Sequence, residues 1–161
     1  MRAHLAGAER LFMDETPLPV LDPGRRVTKK GYFWATAADD RAHGGRSPPI
    51  VVFRYAPSRE GVHAERFLES CRGRFLQCDA YEGYTRLQTL DRPEGGWTLV
   101  HCWSHVRRRF VKVHKSTGSP IAEAMIRHIA GLYAVEKSVR GFAPDARLAA
   151  RRQLSAPIVA A

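Results

Sequence analysis

The chain has 161 residues, of which 44% are hydrophobic, and can therefore bury one sizeable core in a single domain. Its 26 lysines and arginines outnumber 16 acids, and the net charge of +10 attracts polyanions such as nucleic acids. No apolar run approaches the roughly 18 residues of a membrane-spanning helix. The three cysteines, Cys71, Cys78 and Cys102, are too few for a disulfide framework. We therefore expect a cytoplasmic nucleic-acid-binding protein, and neither a membrane protein nor a disulfide scaffold.

The first third of the chain predicts three antiparallel strands. The apolar segment LFMDETPLPVL precedes a turn at Asp22, Pro23 and Gly24, and the aromatic segment GYFWATAADD follows it, as is typical of a hairpin. After a polar loop, the β-branched run in IVVFRYAP predicts a third strand. These three strands are expected to form a meander.

A helix and two more strands follow in the middle of the chain. Ala64, Phe67, Leu68 and Cys71 recur at the spacing of one helix face. The segments RFLQCD and WTLVHCW predict the fourth and fifth strands, with a loop or short helix between them.

From Ser104 onward the pattern predicts helices. The first of them is amphipathic, and its apolar side is predicted to contain Val106, Phe110 and Val113. Ser119 is predicted to cap the next helix, with Pro120 at its first position and an end near Gly141. A last basic helix is predicted in PDARLAARRQL.

This order of strands and helices predicts a ribonuclease H-like fold, which is an α/β architecture with a mixed five-stranded sheet and a helical C-terminal part. In that fold the first and fourth strands are neighbours, about 4.8 Å apart. Asp14 and Asp79 each follow an apolar run in one of these strands, so their carboxylates could share divalent metal ions that act on phosphodiesters. A turn or capping role is the alternative for either acid.

Four segments in order, MDETPLPVLDPG, RFLQCDAYEGY, CWSHVRRRF and GSPIAEAMIRHIAGLYAVEKSVRG, resemble the central catalytic region of the insertion sequence 66 family of bacterial transposases. The resemblance extends from about Ala6 to the C-terminus. It implies a DDE transposase, in which three acids of a ribonuclease H-like core bind magnesium or manganese. Asp14 in DETP matches the first family acid, and Asp79 in QCDAY matches the second.

The third family acid, a glutamate on a later helix, does not carry over, because its expected place lies beyond Ala161. The resemblance therefore implies a truncated enzyme, with residues 1–116 as a partial catalytic core and residues 117–161 as a helical extension toward the missing helix. The isolated chain is expected to be inactive, since small errors in the placement of reacting groups are costly. Glu123 and Glu136 follow the fifth strand, but we expect both to be solvated helix residues.

Glu15 adjoins Asp14, and neighbouring residues of a strand point to opposite faces. Only one of the two can therefore aim at a shared metal. We assign that role to Asp14 on the resemblance, and we expect Glu15 to face solvent or to anchor a loop.

Cys102 and His105 form a C-x-x-H element at the end of the fifth strand. They could supply half of a zinc site if Cys71, Cys78 or His101 completed it. The resemblance offers a second interpretation, in which the pair shapes the edge of the active site or contacts DNA. The third is that Cys102 is a small core residue and His105 a helix-start residue.

A cluster of cations without intervening acids follows the fifth strand and is predicted to bind DNA phosphates. It consists of Arg107, Arg108, Arg109, Lys112 and Lys115. A solvated basic face is the alternative. Trp97 and Trp103 could stack on bases, although core positions are expected. Lys29 and Lys30 in the first hairpin could also approach DNA, but no second feature of the sequence supports that contact.

The functional hypothesis is thus a fragment of a metal-dependent DDE transposase that cleaves and joins DNA strands. The alternative is a non-catalytic DNA-binding remnant that binds transposon ends, self-associates or pairs with a full-length transposase. A structure-selective nuclease of the ribonuclease H-like class is a third hypothesis.

Overall fold

The computed structural model describes the backbone of residues 2–161 and the side chains from residue 3 onward. The strands are β1 (Arg10–Asp22), β2 (Val27–Ala38), β3 (Ile50–Ala56), β4 (Phe75–Cys78) and β5 (Thr98–His101). The α-helices are α1 (Arg2–Gly7), α2 (Gly61–Leu68), α3 (Trp103–Thr117), α4 (Pro120–Ser138), α5 (Pro144–Ala150) and α6 (Ala156–Ala160). A 3-10 helix spans Glu82–Thr89, and a π-helical turn spans Arg151–Ser155.

The five strands form one mixed sheet in the order β3-β2-β1-β4-β5. β1, β2 and β3 pair antiparallel, which confirms the predicted meander, whereas β4 is parallel to both β1 and β5. The predicted α/β class and mixed five-stranded sheet are therefore confirmed. β1 lies at the centre, between one antiparallel and one parallel neighbour.

The core lies on one face of this sheet. Side chains alternate along a strand, so Leu11 and Met13 of β1 point to the same side as Trp34 of β2 and Leu76 of β4, and all four are buried. α2 and the 3-10 helix cover this face, where Tyr84 packs edge-on against Trp34 with 6.0 Å between the ring centroids. Trp97 is also buried there, as expected.

The opposite face of the sheet leaves large side chains exposed. Phe33 of β2 and Phe53 of β3 are 46% and 66% exposed, and Asp14 of β1 is exposed on the same face. The alternation along β1 therefore separates Asp14 from the buried core.

The first hairpin extends beyond the rest of the sheet. The pairing of β2 with β3 ends at Tyr32 and Ala56, and the pairing of β1 with β4 ends at Phe12 and Gln77. β1 and β2 nevertheless remain paired from Leu18↔Gly31 to Asp22↔Val27. We call residues 18–31, which form this two-stranded extension and its turn, the β-arm.

The chain divides into two compact units, one of residues 1–41 and 46–102, which contains the sheet, and one of residues 42–45 and 103–161. The predicted domain boundary between residues 116 and 117 stays a prediction. None of the described helices combines the length and the apolar character needed to span a bilayer.

The predicted start of α4 is confirmed, because the Ser119 hydroxyl accepts a hydrogen bond from the Ala122 N–H (3.3 Å) and Pro120 is the first helical residue. α4 ends at Ser138 rather than near Gly141. Val113, predicted on the apolar side of α3, is 46% exposed, and Trp103 is 41% exposed rather than a core residue.

Candidate active site

The parallel pairing of β1 and β4 brings the two predicted acids level with one another. Arg10 pairs with Phe75 and Phe12 with Gln77, an offset of 65 positions in both cases. The same offset relates Asp14 to Asp79, which directly follows the last residue of β4. Residues in register on neighbouring parallel strands are adjacent, so this register, continued two residues past its last pair, would bring Asp79 beside Asp14 at one edge of the sheet.

Asp14 is the accessible member of this pair. Its residue is exposed, and its Oδ1 accepts a hydrogen bond from the Glu15 backbone N–H at 3.0 Å. This local bond restricts the carboxylate to a position beside its own strand.

Asp79 is held more firmly, and only 12% of its side chain is exposed. Its Oδ1 accepts a hydrogen bond from the Tyr81 N–H at 2.9 Å, and its Oδ2 lies 3.3 Å from Arg59 Nη2. The hydrogen bond between Asp79 Oδ1 and the Tyr81 N–H closes an Asx turn, which lies just before the 3-10 helix. Asp79 therefore has a fixed orientation at the end of β4.

Of the two alternatives expected for Glu15, the solvent-facing carboxylate is wrong, whereas the loop-anchoring one agrees with its ion pair to Arg59 in the loop between β3 and α2. Its side chain is completely buried, on the face of β1 that also carries Leu11 and Met13. The Arg59 Nε–H donates to Oε1, and the Tyr84 hydroxyl donates to Oε2. The expectation failed because a buried carboxylate needs partners, and both partners come from distant positions that the local sequence does not reveal.

Arg59 connects the buried glutamate to Asp79. It belongs to the loop between β3 and α2, forms an ion pair with each carboxylate, and places its guanidinium 3.9 Å from the centre of the Tyr81 ring. The planar guanidinium can serve both acids at once and stack on an aromatic ring. One side chain thus joins β1, the end of β4 and the segment that follows it.

Burial raises the pKa of Glu15 above its ordinary value of 4.5, although the hydrogen bonds from Tyr84 and Arg59 act in the opposite direction. Burial and then the Glu15 hydrogen bond raise the pKa of the Tyr84 hydroxyl, so Tyr84 remains a proton donor to the carboxylate. Burial, followed by the nearby charges of Asp79, Glu15 and Asp14, raises the pKa of Cys78 to about 12. Cys78 is therefore a protonated core thiol at neutral pH.

Cys102 and His105 are half-buried. The backbone N–H of Cys102 donates to the Cys78 carbonyl at 3.0 Å, which continues the pairing between β4 and β5 by one bond. Within the described part of the chain, no three histidine, cysteine or acidic side chains are grouped closely enough to hold a metal ion. The zinc hypothesis therefore has no ligand set there, and the other two interpretations of this pair stay predictions.

The predicted phosphate-binding cations all lie on α3. Arg108, Arg109, Lys112 and Lys115 are exposed, and Arg107 is half-buried. Across the described residues, none of the five forms an ion pair with an acid. Their charge is therefore available to a polyanion.

The glutamates of α4 are in ion pairs. Glu123 accepts a hydrogen bond from Arg127 at 2.9 Å on the exposed surface. Glu136 accepts hydrogen bonds from Arg151 at 2.6 and 2.9 Å and from Arg147 at 3.3 Å, and the Arg151 bonds are the main cause of its lowered pKa. Glu136 thus connects α4 to α5 and to the π-helical turn.

The donors at the sheet edge fit a hard divalent cation. Magnesium is bound by oxygen ligands, usually one or two carboxylates with several waters, and does not require a protein cage. Asp14 in β1 and Asp79 just after β4 are carboxylates of this kind, and their role as metal ligands stays a prediction.

A comparison with protein families matches residues 1–161 to the family described as Transposase IS66 family. The chain belongs to this family. Among its relatives in Sinorhizobium fredii, the uncharacterized protein y4jD is 42% identical over 98% of this chain, and the uncharacterized protein y4qI is 39% identical over 94%. The chain spans 31% and 29% of the lengths of these two relatives, which is about a third of each.

The titration of Glu15 provides a test of this geometry. Because folding raises its pKa above 4.5, the folded state binds the proton more tightly than the unfolded state does. The ionisation of Glu15 therefore costs stability as the pH rises from 4.5 through the folded pKa. We predict that the wild type loses stability relative to Glu15→Gln over this range, as measured by urea unfolding at a series of pH values. A wild type that gains stability relative to the variant as the pH rises would show that Arg59 and Tyr84 outweigh burial.

The hydrogen bond from Tyr84 to the buried carboxylate provides a second test. Tyr84→Phe removes this donor without creating a large cavity and should lower the free energy of unfolding by about 1.5–3 kcal/mol at pH 7. Tyr81→Phe is the matched control, since its ring would still stack on Arg59 and the structure shows no hydrogen bond of its hydroxyl among the described residues. Equal stabilities of the two variants in urea unfolding would contradict the described cluster.

Proposed function

We propose that this chain is part of a DDE transposase with a ribonuclease H-like core, in which Asp14 within β1 and Asp79 just after β4 bind magnesium or manganese. The intact enzyme would cleave the strands at the transposon ends and join them to a target, in the cytoplasm. The observation that carries this proposal is the register of β1 and β4, whose offset of 65 positions also relates Asp14 to Asp79. The strand order, with β1 central and β4 parallel to it, also supports the fold assignment.

The neighbouring side chains fix the orientation of the acids. Arg59 and the Tyr81 N–H hold Asp79 at the strand end, while the Glu15 N–H holds Asp14. Glu15 provides a buried negative charge beside Arg59, so the cation is shared and does not neutralise Asp79 alone.

A bound magnesium or manganese ion would supply Lewis-acid stabilisation of the charge that develops on the phosphodiester. The contribution of the protein is to hold two carboxylates in fixed positions, because errors of about 1 Å in such sites are costly. The cluster of Glu15, Arg59 and Tyr84 contributes to this requirement at Asp79, which Arg59 contacts, since its members come from separate segments and constrain one another.

The DNA is proposed to contact α3. A helix with several unpaired cations can displace counterions from the phosphates of a duplex, and each contact steepens the salt dependence of binding. Self-association or pairing with a full-length transposase would add further DNA contacts.

A second function, that of a non-catalytic DNA-binding module, shares the cations of α3 but does not need a metal. It is favoured by the finding that the described residues contain no group of three candidate metal ligands. The catalytic proposal requires Asp14 and Asp79 for metal binding and for DNA cleavage, whereas the non-catalytic proposal requires them for neither.

Manganese binding provides the first functional prediction. We expect Asp14→Asn and Asp79→Asn each to weaken Mn²⁺ binding at least about tenfold, as measured by the electron paramagnetic resonance signal of the free ion. Asp91→Asn is the control, because Asp91 is an exposed aspartate outside the site, and its affinity should equal that of the wild type. Wild-type affinity in both site variants would contradict the proposal.

Nicking of a supercoiled plasmid separates the two functions. Metal-dependent nicking that is lost in Asp79→Asn supports the catalytic proposal. DNA binding that is unaffected by metal and by Asp79→Asn supports the non-catalytic module, whereas an absence of nicking alone does not, because the isolated chain is expected to be inactive.

The cations of α3 provide the second prediction. The triple variant Arg108→Gln/Arg109→Gln/Lys112→Gln should reduce the slope of log K against log salt by about 3 for a DNA duplex. The control removes three exposed cations from later in the same unit, in Lys137→Gln/Arg140→Gln/Arg152→Gln. Fluorescence anisotropy at several salt concentrations measures both slopes, and an equal reduction in the two variants would indicate a general charge effect instead of a site on α3.

A further inference from the structure

We propose that the β-arm is a second DNA-binding element, which contacts the phosphates of a duplex next to the site of Asp14 and Asp79. This inference rests on the proposed function, since it takes duplex DNA as the substrate. Three features of the hairpin support it, namely its length, its positive charge and the prolines on the free edge of β1.

The β-arm is long enough to reach a neighbouring molecule. Five residue pairs, from Leu18↔Gly31 to Asp22↔Val27, lie beyond the last pair that either neighbouring strand makes. At about 3.4 Å per residue these pairs extend roughly 17 Å from the sheet. A two-stranded ribbon of this kind fits the major groove of B-form DNA, which is about 12 Å wide.

The charge of the β-arm is complementary to DNA. It carries Arg25, Arg26, Lys29 and Lys30 against a single acid, Asp22, and all four cations are exposed. Asp22 lies 3.8 Å from Arg25 and 3.5 Å from Lys29, while Arg26 and Lys30 form no ion pair among the described residues. The element therefore has a net charge of +3 within 14 residues of chain (18–31).

These cations are distributed on both faces of the ribbon. Lys29 and Lys30 are consecutive strand residues, so their side chains leave opposite faces, and the two arginines lie in the turn. A ribbon in a groove has a phosphate backbone on either side, and this arrangement can contact both. Leu21, which is 78% exposed beside the turn, can make apolar contact with the sugars or bases.

The edge of the β-arm argues against a protein strand as its partner. Proline has no N–H, so Pro17 and Pro19 must occupy the positions of β1 whose N–H would point away from β2. Their rings therefore remove two donors from the free edge of β1, where another strand would have to pair. This favours recognition through side-chain charge over strand addition.

The base of the β-arm is anchored to the sheet. The Tyr55 ring and the Val20 side chain lie over Gly31, where an added Cβ atom would come within 2.6 Å of the ring and 2.8 Å of the valine methyl. The absence of a side chain at position 31 thus allows Tyr55 of β3 to pack across the hairpin. This contact limits the freedom of the β-arm where it leaves the sheet.

The position of the β-arm relates it to the acids. It begins four residues after Asp14 on the same strand, and it extends from the edge of the sheet at which β4 ends before Asp79. DNA bound along the β-arm would therefore approach the two carboxylates. The cations can offset the repulsion between those carboxylates and the phosphates.

The test measures how the affinity of the 161-residue chain for a fluorescein-labelled 20-base-pair duplex changes with salt concentration. Arg26→Gln/Lys30→Gln removes the two cations without ion pairs and should reduce the salt slope by about 2, with roughly tenfold or greater weakening at 0.1 M salt. The matched control is Arg72→Gln/Arg74→Gln, which removes two exposed arginines before β4, at the opposite end of the parallel strands. Its slope should remain closer to that of the wild type.

The β-arm proposal would be overturned if the slope of log K against log salt for Arg26→Gln/Lys30→Gln equalled that of the wild type or that of the control. The proposed function would be left intact by that result. A wild-type chain that binds no duplex at any salt concentration would overturn both. Circular dichroism melting of each variant confirms that the fold is retained, and the single variant Lys30→Gln, with an expected slope change of about 1, serves if the double variant unfolds.

Discussion

The buried carboxylate of Glu15 is the constraint on which the rest of the sheet edge depends. A carboxylate with no exposed surface cannot remain in the interior without donors, and Arg59 and Tyr84 supply them from the β3–α2 loop and the 3-10 helix. Because Arg59 also contacts Asp79, satisfying one buried charge fixes the orientation of a second acid at the surface. The stability of the core and the placement of the proposed metal ligands are thus parts of one network.

The same strand carries three kinds of residue in succession. β1 begins with the core residues Leu11 and Met13, passes through Asp14 and Glu15 on opposite faces, and continues into the β-arm. Because side chains alternate between the two faces of a strand, Asp14 is exposed whereas its neighbour Glu15 is buried. The chain belongs to the IS66 transposase family and spans about a third of the length of the two relatives.

Much of the fold could be predicted, because strands, turns and helix caps leave local signals. The apolar and aromatic segments on either side of the turn at Asp22, Pro23 and Gly24, with the β-branched run that follows, were sufficient for the meander, and the cap at Ser119 was sufficient for the start of α4. The role of Glu15 could not be predicted in this way, since its partners are 44 and 69 positions away and only the folded chain brings them together. The extent of the β-arm was also hidden, because the sequence does not show where β3 and β4 stop pairing. The roles of Asp14 and Asp79 stay predictions, supported by their register.

The central claim is that Asp14 and Asp79 hold one cation between adjacent strands. A crystal structure of this chain grown with MnCl₂, with anomalous data collected near the manganese edge, tests it most directly. The account predicts an anomalous peak within about 2.5 Å of a carboxylate oxygen of each aspartate, and no such peak in crystals of Asp79→Asn. A manganese ion bound elsewhere with the two carboxylates unliganded, or the two carboxylates too far apart to contact one ion, would contradict it.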